Sequence, residues 1–270
     1  MRPREFVHDH SLGQHFLYDG EILGAIADHG ADDCVLEIGA GEGTLTRRLV
    51  QRAQQVVSIE LDQRLRPKLE ALEAEFSNLH VVWGDVRKLD LQALCREYFG
   101  EKRASVCANL PYYITKNALK ILLTCGVRWN KIVLLLQKEA ALKAAARPGE
   151  DGYGALSVFL SYFGSRQVCL EVGKELFTPP PQVDSALFKL ELFEKPAADL
   201  PAKQLFSVVD ASFAQRRKTL VNALASSPLV ESKEKALQLV QACGLYATVR
   251  AEELSIQEFA RLAELIFQAT

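Results

Sequence analysis

The chain has 270 residues, a formal net charge of −2, 49% hydrophobic residues and 24% charged ones, which leaves room for one large α/β domain plus a small accessory one and excludes disordered and fibrous classes. A near-neutral charge also excludes a protein that coats nucleic acid along its whole surface, so any basic footprint has to be local. No apolar run approaches the roughly 20 residues of a membrane span, and the charged residues 1–10 do not read as a secretory signal, so the expected compartment is the cytoplasm.

In chain order, the apolar segment 11–17 (Ser-Leu-Gly-Gln-His-Phe-Leu) is expected to fold back on the domain rather than trail as a tail. Asp19 is placed to cap a short helix ending near His29 and Gly30, where a glycine can take the left-handed conformation that stops a helix. Strands are predicted at 34–38, 56–59 and 79–83, then at 105–108, 132–136, 168–171 and 186–192. Their alternation with helical patterns reads as an α/β fold with a doubly wound sheet of about seven strands. The proline-bearing stretch 194–200 is the expected linker, which gives an α/β domain over 1–193 and a small all-helical domain over 201–270. In that tail, Ser255 and Glu258 form a capping box ahead of an amphipathic helix carrying Phe259, Leu262, Leu265 and Ile266. Cys34, Cys95, Cys107, Cys125, Cys169 and Cys243 are scattered without a CxxC pair, so free thiols and no metal site are expected.

Residues 36–44 (Leu-Glu-Ile-Gly-Ala-Gly-Glu-Gly-Thr) read as a strand entering a glycine turn, with a helix expected from about Thr44. Gly39 and Gly41 let a ligand lie against bare backbone. A dinucleotide fingerprint would want a small residue where Thr44 stands. Glu60, at the end of the next strand, can accept hydrogen bonds from both hydroxyls of a ribose, which suits NAD and S-adenosylmethionine equally. Asp85, at the end of the third strand, is placed to receive an adenine amino group. Glu37, inside the first strand, is a structural or electrostatic partner of the cofactor, with direct contact left open.

The most informative stretch is 109–115, Asn-Leu-Pro-Tyr-Tyr-Ile-Thr, at the end of the fourth strand. It resembles the catalytic turn of the adenine and cytosine amino-methyltransferases. The lone pair of an aromatic amino group is delocalised into its ring and attacks poorly. Two acceptors that hold the N–H bonds favour a tetrahedral nitrogen and aim the lone pair. The side-chain oxygen of Asn109 and the carbonyl of Leu110 suit that role, Pro111 stiffens the turn, and Tyr112 offers a ring on which a base can stack.

With the glycine turn, residues 12–17, the loop 177–185 (Phe-Thr-Pro-Pro-Pro-Gln-Val-Asp-Ser) and the basic segment 213–222, the chain over 11–270 resembles the KsgA-type small-subunit ribosomal RNA adenine N6,N6-dimethyltransferases. The resemblance implies a Rossmann-like class I methyltransferase fold and S-adenosylmethionine as methyl donor, with no metal. It implies cofactor contacts at His15, Leu17, Gly39, Gly41, Glu60, Asp85 and Asn109, with His15 where the family usually has asparagine. It implies catalytic roles for Asn109, Leu110, Pro111, Tyr112 and Phe177, with Phe177 stacking on the target base opposite Tyr112. The implied substrate is a pair of adjacent adenosines near the 3′ end of 16S RNA in the assembling 30S subunit, with the enzyme acting as a monomer and serving subunit maturation. Arg216, Arg217 and Lys218, read as the middle of an amphipathic helix whose Phe213, Leu220 and Leu224 face inward, are the expected RNA contacts, assisted by Arg2, Arg4 and Lys116. The alternatives are a 23S RNA methylase of the erythromycin-resistance type and a mainly non-catalytic assembly factor.

Overall fold

The computed structural model describes residues 15–110, 115–215 and 217–268; Arg2, Arg4, Pro111, Tyr112 and Arg216 lie outside them. The first unit comprises residues 1–141 and 167–192. Its strands are β1 (Phe16–Leu17), β2 (Cys34–Ile38), β3 (Gln55–Glu60), β4 (Leu79–Trp83), β5 (Ala104–Asn109), β6 (Trp129–Gln137), β7 (Gly164–Val172), β8 (Phe177–Thr178) and β9 (Ser185–Leu192). Seven of them form one sheet in the order β4-β3-β2-β5-β6-β9-β7. From β4 to β6 the neighbours are parallel, and β9 runs antiparallel to β6.

All five residues of β2 are buried, as are Ile132 to Leu136 of β6. A parallel strand covered on both faces has no solvent side to alternate towards, which is why these strands stand out in the sequence as apolar runs, broken in β2 only by the buried Glu37. The helices between them are α1 (Gly20–Gly30), α2 (Thr46–Leu49), α3 (Arg66–Glu75), α4 (Leu91–Phe99), α5 (Thr115–Thr124) and α6 (Lys138–Ala145). Asp19 caps α1 as expected, its Oδ1 accepting from the backbone N–H of Glu21 at 3.0 Å and of Ile22 at 2.9 Å.

Two local expectations are corrected. Gly30 is not left-handed; it is the buried last residue of α1, and a Cβ there would lie 2.5 Å from Cys107 Sγ. The glycine is needed for close approach of helix to sheet rather than for a backbone reversal. The helix expected from Thr44 begins instead at Thr46 and lasts four residues, because Thr44 and Leu45 still belong to the turn.

The second unit comprises residues 142–166 and 193–270. It contains α7 (Ala155–Phe163), α8 (Ala202–Phe213), α9 (Leu220–Ala225), α10 (Lys233–Ala242) and α11 (Ile256–Gln268). The expected division placed 142–166 in the α/β domain, and this is the largest correction to it. Tyr153, Val158 and Tyr162 bury themselves in one cluster with Leu205, Leu224 and Phe259, and the Tyr153 hydroxyl donates to the Leu254 carbonyl at 2.7 Å. The stretch expected as a linker is bound to this unit as well: the N–H groups of Phe193 and Ala197 donate to the carbonyls of Phe163 and Tyr162. Ser255 and Glu258 close a reciprocal cap on α11, with the Ser255 N–H donating to Glu258 Oε2 at 2.7 Å and the Glu258 N–H to Ser255 Oγ at 3.3 Å. No helix among the described residues is long and apolar enough to cross a membrane.

Candidate active site

In-register parallel pairing sets Ile38 of β2 opposite Ile59 of β3 and Ala108 of β5, and Glu60 of β3 opposite Trp83 of β4. The carboxyl ends of these strands therefore line up, and Gly39, Glu60, Asp85 and Asn109 share one sheet edge. Ligands of open α/β sheets bind at this edge, where side chains and loops are released from the ladder.

The turn after β2 depends on its glycines: Gly39, Gly41 and Gly43 have φ of +78°, +58° and +81°, a region that costs other residues strain. A Cβ on Gly41 would also come within 2.9 Å of the Phe16 ring. The turn is anchored by N–H donation from Gly39 to the Ile59 carbonyl at 2.8 Å and from Gly41 to Glu60 Oε2 at 2.8 Å. Glu60 is buried, and its Oε1 accepts from the N–H groups of Leu61 at 2.8 Å and Asp62 at 2.7 Å. Burial raises its pKa above the ordinary value, and those three N–H bonds counter the shift.

Asp85 is gripped by a side chain that sequence reasoning missed. Arg87 donates Nε to Oδ1 at 2.9 Å and to Oδ2 at 3.1 Å, Nη2 to Oδ2 at 2.7 Å, and its backbone N–H to Oδ1 at 3.0 Å. The bonded guanidinium holds the Asp85 carboxyl below its ordinary pKa. An adenine amino group reaching Asp85 has to take the place of the longer, shared Nε bond, since a carboxylate offers about four acceptor positions.

Glu37 sits 1% exposed beneath the glycine turn. Its Oε2 accepts from Thr46 Oγ1 at 2.6 Å and Ser58 Oγ at 2.5 Å, while Oε1 is buried without a hydrogen-bond partner. Burial pushes its pKa up to about 7, against the two hydroxyls that lower it. Glu37 thus ties β2 to β3 and α2 as an internal clamp.

Asn109 ends β5, and its Nδ2 donates to the backbone carbonyl of His15 at 3.3 Å. The His15 ring in turn donates from Nδ1 to the Pro179 carbonyl at 2.7 Å. Directly after His15, β1 pairs antiparallel with β8, Phe16 opposite Thr178 and Leu17 opposite Phe177. His15, Leu17, Asn109 and the start of the proline loop are thereby brought together from distant parts of the chain. The glycine turn joins them: a Cβ on Gly39 would lie 3.7 Å from the Asn109 carbonyl oxygen and 4.0 Å from Leu110 Cδ2.

Phe177 was expected to present its ring to a base, and that is corrected. It is 2% exposed and packs in a core cluster with Leu17, Leu23, Val172 and Leu187. The proline loop that signalled a projecting aromatic instead seats it through the β1–β8 ribbon.

In the helical unit, Arg217 and Lys218 are exposed, but not in the middle of a helix. They lie in the turn between α8 and α9, where the Lys218 N–H donates to the Gln215 carbonyl and the Leu220 N–H to the Val249 carbonyl at 2.8 Å. That long-range bond takes the N–H which a continuous helix would have used. Leu220 and Leu224 are buried, as the apolar pattern expects.

The profile of the family described as ribosomal RNA adenine dimethylase matches residues 6–268. A protein of Alkaliphilus metalliredigens named ribosomal RNA small subunit methyltransferase A is 39% identical over 264 residues, covering 96% of this chain and 92% of the relative. A protein of the same name from Bacillus licheniformis is 41% identical, covering 94% and 89%. Among solved structures, a dimethyladenosine transferase from Plasmodium falciparum superposes with a TM-score of 0.80 at 26% identity, covering 94% of this chain and 98% of that one. The 23S rRNA methyltransferase ErmE superposes with a TM-score of 0.72, also at 26% identity, covering 94% and 100%. The fold is thus the Rossmann-like class I methyltransferase sheet that the sequence implied. With a family match across nearly the whole chain and close relatives over the same span, the protein belongs to the ribosomal RNA adenine dimethylase family.

Proposed function

We propose that the protein dimethylates the N6 amino groups of two adjacent adenosines near the 3′ end of 16S ribosomal RNA, acting as a monomer on the assembling 30S subunit in the cytoplasm. The observation that carries this reading is the Asn109 turn. Its amide NH₂ end is committed to the His15 carbonyl, which leaves Oδ1 as the free acceptor, and the Asn109 backbone borders the glycine turn, its carbonyl oxygen 3.7 Å from where a Cβ on Gly39 would stand.

S-adenosylmethionine fits the residues at that edge. Gly39 and Gly41 present backbone without side chains, Glu60 keeps an acceptor position on Oε2 beyond the Gly41 bond, and Asp85 stands two residues past β4. When bound, it supplies an electrophilic methyl group on a cationic sulfur and needs no metal. Asn109 Oδ1 and the Leu110 carbonyl accept the two N–H bonds of the adenine amino group, which fixes its lone pair in one direction. Orientation of this kind replaces a general base, because the amine loses its proton only after it has been alkylated. Tyr112 is the stacking surface for the base, and the buried Phe177 anchors the start of the proline loop. Arg216, Arg217 and Lys218 contact RNA phosphates; the exposed turn that carries Arg217 and Lys218 lets a guanidinium fork reach outward without having to follow a helix face.

The 23S methylase reading is the second one, favoured by the ErmE superposition over 100% of that chain. Incubating the protein with radiolabelled S-adenosylmethionine and unmethylated 30S or 50S particles, then mapping the product, separates the two. N6,N6-dimethyladenosine in 16S RNA is the expected outcome; label confined to 23S RNA, or none at all, overturns the proposal.

A further inference from the structure

The helical unit carries a cleft of about 300 Å³ that plays no part in the site above. Among its lining residues are Arg147, Arg166, Ser161, Ser165, Phe193 and Gln257. A cleft of this size takes a nucleotide-sized group. Its charge is of one sign: two guanidiniums stand with two hydroxyls and an amide on walls otherwise made of Ala145, Gly164, Ala197, Ile256 and an aromatic ring that is 44% exposed.

Arg166 is pre-positioned. Its Nη1 donates to the backbone carbonyls of Ala144 and Ser157, which fixes the guanidinium plane while Nε and Nη2 remain as donors. Arg166 is half-buried, and no ion pair joins it or Arg147 to a carboxylate among the described residues. Holding a half-buried cation beside a second cation costs free energy unless an anion joins them. Burial, with the like charge of Arg147 adding to it, pushes the Arg166 guanidinium below its ordinary pKa. The acidic group nearest in sequence, Glu150, already accepts from the Arg147 backbone N–H at 2.8 Å. It favours the charged form of Arg166 without pairing with it.

We infer that this cleft is a second RNA contact, separate from Arg216 to Lys218: Arg147 and Arg166 grip one phosphodiester of the ribosomal RNA substrate, and Phe193 packs against the adjoining ribose or base. The inference rests on the reading that the substrate is RNA. A planar fork with free parallel donors matches a phosphate, and an exposed aromatic beside it is the arrangement that gives a backbone grip and a sequence-tolerant stack together. The alternative source of the same chemistry is free inorganic phosphate.

The test uses the full-length protein and a labelled fragment of the 3′ region of 16S RNA. Arg147 is exposed, so Arg147→Glu leaves the fold intact, and it is expected to weaken RNA binding about tenfold and to flatten the slope of log affinity against log salt by about one. Arg147→Lys recovers most of that loss, Phe193→Ala weakens binding several-fold, and the S-adenosylmethionine Kd is unchanged in all three. Unchanged RNA affinity and salt slope in Arg147→Glu overturn the inference. So does loss of inorganic phosphate binding with RNA affinity intact, which assigns the arginines to a free anion. If the wild-type protein binds the RNA but transfers no methyl group to it, the catalytic reading fails while the Arg147 comparison still decides the contact.

Discussion

The side-chain amide of Asn109 donates to the backbone carbonyl of His15 at 3.3 Å, across 94 residues of sequence. One bond thus fixes which way the amide faces and ties residue 15 to the end of β5. The same His15 holds Pro179 through its ring, so three segments of the first unit meet at one residue, through its carbonyl and its side chain.

Asn109→Ala removes both the acceptor proposed for the target amine and the His15 bond. Single-turnover methyl transfer at saturating cofactor and RNA is expected to slow by about 100-fold or more, the scale seen when one aligned hydrogen-bonding group is deleted from a polar transition state. A rate within twofold of wild type would remove Asn109 from the chemistry.

Glu60→Gln places an NH₂ group against one of the three backbone N–H donors that now converge on the carboxylate. Two donors cannot face each other, so the Gly41 turn shifts. Calorimetry is expected to show cofactor affinity reduced about tenfold or more, equivalent to roughly 1.4 kcal/mol, together with a lower Tm. Retained affinity would show that the turn holds its shape without the charge.

Glu37 makes stability depend on pH in a definite direction. Its pKa rises from 4.5 in the unfolded chain to about 7 in the fold, so the folded state holds the extra proton. The full stability is present below pH 4.5 and declines as pH rises through 7, by about 3 kcal/mol at most. Glu37→Gln keeps an acceptor for Thr46 and Ser58 and cannot ionise. Urea unfolding between pH 5 and 8 should show wild type losing stability relative to this variant; parallel curves would count against a buried, proton-holding Glu37.

Phe177→Ala empties a core position and is expected to cost about 3 to 5 kcal/mol. Phe177→Leu preserves most of that packing. If the ring only anchors the proline loop, the leucine variant keeps kcat/KM for RNA within a few-fold of wild type. A drop of 100-fold in kcat/KM with stability retained would restore a direct stacking role.

Much of the fold was legible along the chain because its signals are local or one-dimensional. The strands at 34–38 and 79–83 coincide with β2 and β4, since a short, mostly apolar, β-branched run is a local signal whether the strand is fully buried, as β2 is, or half-covered at the sheet edge, as β4 is. Asp19 and the Ser255–Glu258 pair were readable because a cap satisfies backbone groups two or three residues away. Arg87 was equally near Asp85 in sequence and still escaped notice. An Asp-x-Arg spacing is common on surfaces, and only the four observed bonds distinguish this pair.

By itself the sequence determined the sheet, the glycine turn, the acidic strand ends and the Asn109 turn, all products of backbone conformation and burial within a short stretch. Only the tertiary structure decided that Gly30 is small because Cys107 lies against it, that residues 142–166 pack with the helical unit, that Phe177 is buried and that Arg217 and Lys218 occupy a turn. Each of those outcomes depends on a contact with a residue remote in the chain, Cys107, Leu254, Leu17 and Val249 respectively. Packing and long-range hydrogen bonds override local preference wherever burial supplies more free energy than a propensity of a few tenths of a kcal/mol.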